Sequence, residues 1–155
     1  MKKLFKGLLA GLAFVLLAPA GLAQERGTKE EAKALADAAA AHVKKVGAEK
    51  AFKDFSNDKA AWTRKDLYVI AFDMSGQCLA HGANEKLIGK NLIEMKDQHG
   101  KYFTKAIIDV AKGASGSGWT DYEWVHPQTK KLEPKSTYSV KLTGFEGVVG
   151  VGIYR

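Results

Sequence analysis

The stretch that decides the fold is residues 119–138, W-T-D-Y-E-W-V-H-P-Q-T-K-K-L-E-P-K-S-T-Y. Two extended runs flank a turn-forming middle. The first, residues 119–126, is rich in aromatics, and on a strand successive side chains point to opposite faces. Tyr122 and Trp124 therefore share a face with Thr120 and His126, while Trp119, Asp121, Glu123 and Val125 share the other. Pro127 has no N–H to donate and cannot continue a central strand. Pro134 closes the turn region, and residues 135–141 read as the return strand. A hairpin with two large aromatics on one face and Lys135 at its mouth has the makings of a pocket wall. The plainer alternative is an ordinary sheet face packed on a core.

Downstream of the hairpin, residues 142–147 read as a turn and residues 148–154 (V-V-G-V-G-I-Y) as a final buried strand. Gly150 and Gly152 fall on one face of it and leave room there, either for close helix packing or for a ligand.

Upstream, Thr28-Lys29-Glu30-Glu31 has the pattern of a capping box and opens an alanine-rich helix. Leu35, Ala39, His42, Val43 and Val46 form one face of it, with His42 as a packed or half-buried side chain. Gly47 marks a break, after which residues 48–55 resume a helical pattern. Residues 58–66 read as a loop that packs Trp62 downward. Leu67–Asp73 (L-Y-V-I-A-F-D) is almost continuously apolar, the mark of a strand covered on both faces. Gly76 serves the turn that joins it to a partner strand, Cys78–His81. Residues 82–95 read as a structured excursion lying over the sheet, and residues 102–111 as a short helix with Phe103, Ala106, Ile107 and Val110 on one stripe. The loop at residues 113–118 (G-A-S-G-S-G) joins a helix to a strand and lacks a Lys-Ser/Thr ending, so it does not read as a phosphate cradle. The sum is an α+β fold: a five-stranded antiparallel sheet, a long N-terminal helix on one face and the excursion over the other.

The amino terminus reads as a secretory signal peptide. Lys2, Lys3 and Lys6 form a positive region, residues 8–17 an apolar core, and Gly21-Leu22-Ala23 a cleavage site after Ala23, with Ala20 as the alternative. The apolar run is short for a membrane span, and an uncleaved anchor is the competing reading. Residues 24–155 then form a single domain, periplasmic or secreted, with no stable membrane span after cleavage. The whole chain has 24 Lys+Arg against 17 Asp+Glu. Removing three leader lysines leaves +4, spread along the sequence. No basic stripe interleaved with exposed aromatics points to nucleic acid, and the mild positive charge fits an anionic ligand. The one cysteine, Cys78, reads as a small strand residue.

Catalytic patterns are missing. The four histidines, His42, His81, His99 and His126, are scattered, with no metal-ligand spacing. There is no Gly-x-Ser-x-Gly elbow and no paired carboxylates on strand ends, which argues against an enzyme. No cofactor is implied. Small-molecule binding fits better: Tyr122, Trp124 and Tyr138 supply an apolar surface, Lys135 a charge for a carboxylate, and tyrosine hydroxyls its orientation. His81 could equally donate to an anion or be a polar strand end.

Taken in order, Asp66-Leu67-Tyr68-Val69, Asp73-x-x-Gly76, Leu79-Ala80-His81, Gly89-Lys90-Asn91, Asp97-x-x-Gly100, Gly118-Trp119-x-x-Tyr122-x-Trp124, Pro134-Lys135-x-x-Tyr138 and Gly150-x-Gly152-x-Tyr154 resemble the single Cache domain of the second type. The resemblance covers residues 34–155. It implies a PAS-like sheet behind a long helix, and an extracytoplasmic sensor pocket for small ligands, often short organic acids. It further implies Tyr122, Trp124, Lys135 and Tyr138 as pocket residues, with His81 and Tyr68 beside them. The sequence shows no signalling region after Arg155, so the expected role is a stand-alone periplasmic sensor domain in signal transduction, binding a small organic anion. The alternative is an accessory module with a vestigial pocket that contacts a membrane-bound receptor or kinase.

Overall fold

The computed structural model describes residues 25–155. The expected signal peptide and its cleavage site lie outside the described residues. Helix α1 (Lys29–Val46) begins at the capping box: the Glu31 amide donates to Thr28 Oγ1 at 3.2 Å, and the Thr28 amide donates to the Glu31 carboxylate at 2.9 Å. It ends at Gly47, whose φ of 86° is left-handed and suits a residue without a β-carbon. Helix α2 (Ala48–Asn57) follows.

Residues 58–66 are not the loop expected from the sequence. They hold a helical turn, α3 (Lys59–Trp62), capped by Asp58, and a two-residue strand, β1 (Thr63–Arg64). Both are too short to show a periodicity. Trp62 does pack inward, edge-on to Phe55 with centroids 4.7 Å apart. Next come β2 (Leu67–Asp73), β3 (Cys78–His81), a 3-10 turn at Glu85–Leu87, α4 (Phe103–Lys112), β4 (Ser117–Val125), β5 (Leu132–Lys141) and β6 (Gly147–Tyr154).

The sheet is antiparallel, in the order β1-β2-β6-β5-β4, and β3 also pairs with β2. The five expected strands are all present, and β1 adds a short sixth. The return strand starts at Leu132 rather than Lys135, so Pro134 lies inside β5, opposite Glu123. The Pro134 carbonyl accepts from the Arg155 amide. On a strand a residue's nitrogen and carbonyl point the same way, so the missing N–H falls at the very end of the β5–β6 ladder, beside Arg155, and not in its middle.

Alternation divides the sheet into two cores. Leu67, Val69, Ala71, Val149, Val151 and Ile153 pack with Leu35, Ala39, Val43, Phe52 and Phe55 of α1 and α2. On the other face Tyr68, Ile70, Phe72, Val148 and Tyr154 pack with Leu92 and with Phe103, Ile107 and Ile108 of α4. The helix therefore covers one face and the excursion the other. Cys78 is fully buried in the second core, and burial pushes its thiol up to about 12, out of the reactive range.

Candidate functional site

On the excursion face a cleft of about 480 Å³ opens beside the sheet. Its floor is made of strand residues: Tyr68 of β2, His81 at the end of β3 and Trp124 near the end of β4. Its sides are two turns, one carrying Asn84 and Lys86 and the other His126, Pro127 and Lys130. Among the described residues no Asp or Glu contributes to the lining. A second concavity of about 360 Å³ lies between α2 and β3, around Phe52, Leu79 and Ile88. It is more apolar and holds no buried ionisable group, so the first is the better candidate.

His81 is buried, and its ring lies 5.1 Å from that of Tyr68. Its Nδ1 accepts from the amides of Ala83 and Asn84 at 3.3 and 3.0 Å. That fixes Nδ1 as an acceptor and leaves the proton on Nε2, so the neutral ring has one donor to offer. Burial, with the Lys135 charge added, pulls the His81 pKa down to about 3. The sign is clear. The unfolded chain takes up a proton near pH 6.5 and the folded chain does not, so His81 makes stability fall as pH drops from about 6.5 toward 3. The slope in that window is about 1.4 kcal/mol per pH unit. A His81→Gln variant is expected to lose this part of the acid sensitivity in urea titrations at pH 4 and pH 7. An unchanged pH difference would contradict the assignment.

His126 repeats the arrangement: its Nδ1 accepts from the amides of Gln128 and Thr129, both at 3.2 Å. Its Nε2 faces Asp66 Oδ2 at 3.4 Å, with both side chains almost wholly buried. Asp66 Oδ1 accepts from the Gly27 amide at 2.6 Å, which ties the entry to α1 to the cleft wall.

Beneath the floor lies Lys135. It is 1% exposed and is not part of the cleft lining. Its ammonium donates to Tyr68 Oη at 2.6 Å and Tyr154 Oη at 3.3 Å, and sits over both rings, 4.1 and 4.7 Å from their centroids. Tyr154 donates to the Val125 carbonyl at 3.0 Å, so across the 3.0 Å contact between the two phenols Tyr68 is the donor. Lys135 forms no ion pair among the described residues. Desolvation pulls its pKa down to about 7, against a smaller opposing pull from Asp66. Burial raises the Tyr68 and Tyr154 phenols, so both stay neutral donors.

Gly152 explains how the lysine fits. A β-carbon there would overlap Lys135 Cε and Thr137 Oγ1. The space expected to admit a helix or a ligand is filled by the lysine's own stem. Gly152→Ala is expected to cost about 1–3 kcal/mol, and less in a Lys135→Ala background, where the stem is gone. Equal costs in the two backgrounds, measured by urea unfolding, would contradict this packing.

Of the six residues singled out from the sequence, Tyr68, His81 and Trp124 come together at the cleft and Lys135 lies just behind them. Tyr122 does not line the cleft: it stacks on Phe103 at 4.9 Å under α4 and bonds Thr137 at 2.9 Å. Tyr138 is on the opposite face, against Trp119, with Lys33 of α1 over its ring. An offset of three from Lys135 on one strand dictates this. His126, Asp66 and Tyr154 were missed. Tyr154 could have been found, because alternation puts it on the face of Gly150 and Gly152.

The profile of the family described as single Cache domain 2 matches residues 19–155. The sensor histidine kinase MctS of Rhizobium johnstonii is 30% identical over 90 residues, 58% of this chain and 19% of that protein. The chain thus spans about a fifth of that relative's length. Among solved structures, a methyl-accepting chemotaxis protein from Vibrio parahaemolyticus superposes with a TM-score of 0.70 at 27% identity, covering 81% of this chain and 87% of that one. A Cache chemosensory domain superposes with a TM-score of 0.67 at 19% identity, covering 81% and 91%. The sheet and its covering helix thus share the fold of these solved domains, and the chain belongs to the single Cache domain 2 family.

Proposed function

We propose that this domain is an extracytoplasmic sensor for a small organic carboxylate, acting in signal transduction and without catalytic activity. The observation that carries the reading is Lys135, a buried amine that among the described residues has no carboxylate partner, set directly behind the Tyr68 wall of a cleft to which none of the described acidic residues contributes. A buried charge without a partner is costly, and an anion in the cleft offsets that cost. In the bound state the Tyr68 hydroxyl turns its hydrogen to the ligand while its oxygen still accepts from Lys135. The His81 Nε2–H supplies a second donor and Trp124 an apolar wall. Carboxylic acid recognition by a solved Cache chemosensory domain of the same fold is consistent with this chemistry.

The test is a thermal-shift screen of acetate, propionate, succinate and glutarate on the protein. Ligand at a hundred times Kd adds about 2.7 kcal/mol to the folded state, a rise of several degrees. No shift with any acid, up to concentrations where ionic strength dominates, would overturn the proposal. The alternative, an accessory module whose pocket is vestigial and whose surface contacts a membrane-bound receptor or kinase, draws on the same burial of Lys135 behind Tyr68. No helix among the described residues is long and apolar enough to cross a membrane.

A further inference from the structure

Resting on the carboxylate reading above, we infer that the ligand carries two anionic groups, a short-chain dicarboxylate whose second carboxylate is held at the cleft mouth by Lys86 and Lys130. The cleft has two distinct positive zones. One is the buried floor, where Tyr68 and His81 present donors backed by Lys135. The other is the rim, where Lys86 and Lys130 are exposed side chains on the two flanking turns.

Neither rim lysine makes an ion pair among the described residues. Both are set on backbone that is held in place. Lys86 sits in the 3-10 turn at Glu85–Leu87, where its amide donates to the Asn84 side chain at 3.2 Å. Asn84 in turn donates its backbone N–H to His81 Nδ1, so the rim turn and the floor histidine are one hydrogen-bonded unit. On the other side the turn closes through His126 N to Lys131 O at 2.8 Å and Lys130 N to His126 O at 3.0 Å. Lys130 occupies the left-handed region, with a φ of 60°, where a glycine would rest without strain. Its ammonium donates to the Pro127 carbonyl, leaving further N–H donors for a ligand.

A monocarboxylate on the floor would leave both rim charges unanswered. A second carboxylate a few carbons from the first answers them. Exposed charge pairs are individually weak and are screened by salt, so the rim sets selectivity and the floor sets most of the affinity.

The test is isothermal titration of the protein with matched pairs: succinate against butyrate, and glutarate against its monomethyl ester. Dicarboxylates are expected to bind about tenfold tighter at low salt. The preference shrinks at high salt, and a Lys86→Ala/Lys130→Ala variant loses it. Equal affinities within each pair for the wild-type protein would overturn the inference and leave the carboxylate reading standing, as would a double variant that keeps its preference. Binding by none of the four acids would overturn the inference, and the carboxylate reading falls with it only if acetate and propionate also give no thermal shift.

Discussion

Replacing Lys135 with methionine is expected to lower carboxylate affinity by at least about 30-fold, because removing one partner of a buried charge pair costs 2 kcal/mol or more. The same change leaves the ligand-free protein as stable as the wild type, or more so, at pH 6. Lys135 is buried beneath Tyr68 with no counter-ion among the described residues, and methionine keeps the stem's volume beside Gly152 while removing the charge. Tyr68 and Tyr154 keep their mutual hydrogen bond and the bond to the Val125 carbonyl. The pH dependence gives a second signature. With a folded pKa of about 7 against roughly 10.4 unfolded, the unfolded chain holds the proton that the folded chain has released between those values. The wild type therefore gains stability from this group as pH rises from 7 toward 10, at about 1.4 kcal/mol per pH unit, and gains none below pH 7. The methionine variant lacks that rise. Urea titrations of both proteins at pH 6, 8 and 9 measure it, and parallel curves would contradict the burial of the charge.

Phe55→Ala is expected to be the most destabilising single truncation in the helix-side core, at about 3–5 kcal/mol. That is a large part of the stability of a domain this size, and a drop in melting temperature on the order of 10–20 °C. Phe55 is fully buried, with Trp62 at 4.7 Å, His42 at 5.9 Å and Phe52 at 6.4 Å between ring centroids. It fastens α2 and α3 to the sheet next to Gly82, the residue after His81. Because it touches scaffold and not cleft, carboxylate affinity well below the melting temperature should stay within about twofold. A loss under 1 kcal/mol would mean that α2 does not rest on this ring.

Both residues show what a sequence can and cannot disclose. The helices and the main strands were legible because each has a local cause: the Thr28–Glu31 box, the three- and four-residue spacing along α1, and the unbroken apolar run from Leu67 to Phe72. The pair α3 and β1 was not, since four and two residues are fewer than one period of any pattern. The family resemblance, with its Pro134-Lys135-x-x-Tyr138 motif, implies Tyr138 at the pocket, yet strand alternation sends residues three apart to opposite faces. The depth of Lys135 was beyond local reading. It depends on the β5–β6 register that sets it opposite Tyr154, on the missing side chain at Gly152, and on Tyr68 arriving from β2. The buried pair of His126 and Asp66 likewise joins the β4–β5 turn to the β1–β2 turn, and nothing in either segment announces the other.

We propose that Lys135, buried and without an ion-pair partner among the described residues, is answered by an anion in the cleft beside it. An NMR titration of the Lys135 side chain, with and without saturating carboxylate, tests it most directly. The account predicts an amine that titrates near pH 7 in the ligand-free protein and moves up by more than a unit when the ligand is bound. A Lys135 that titrates near its ordinary value of about 10.4, or whose titration ignores the ligand, would contradict it.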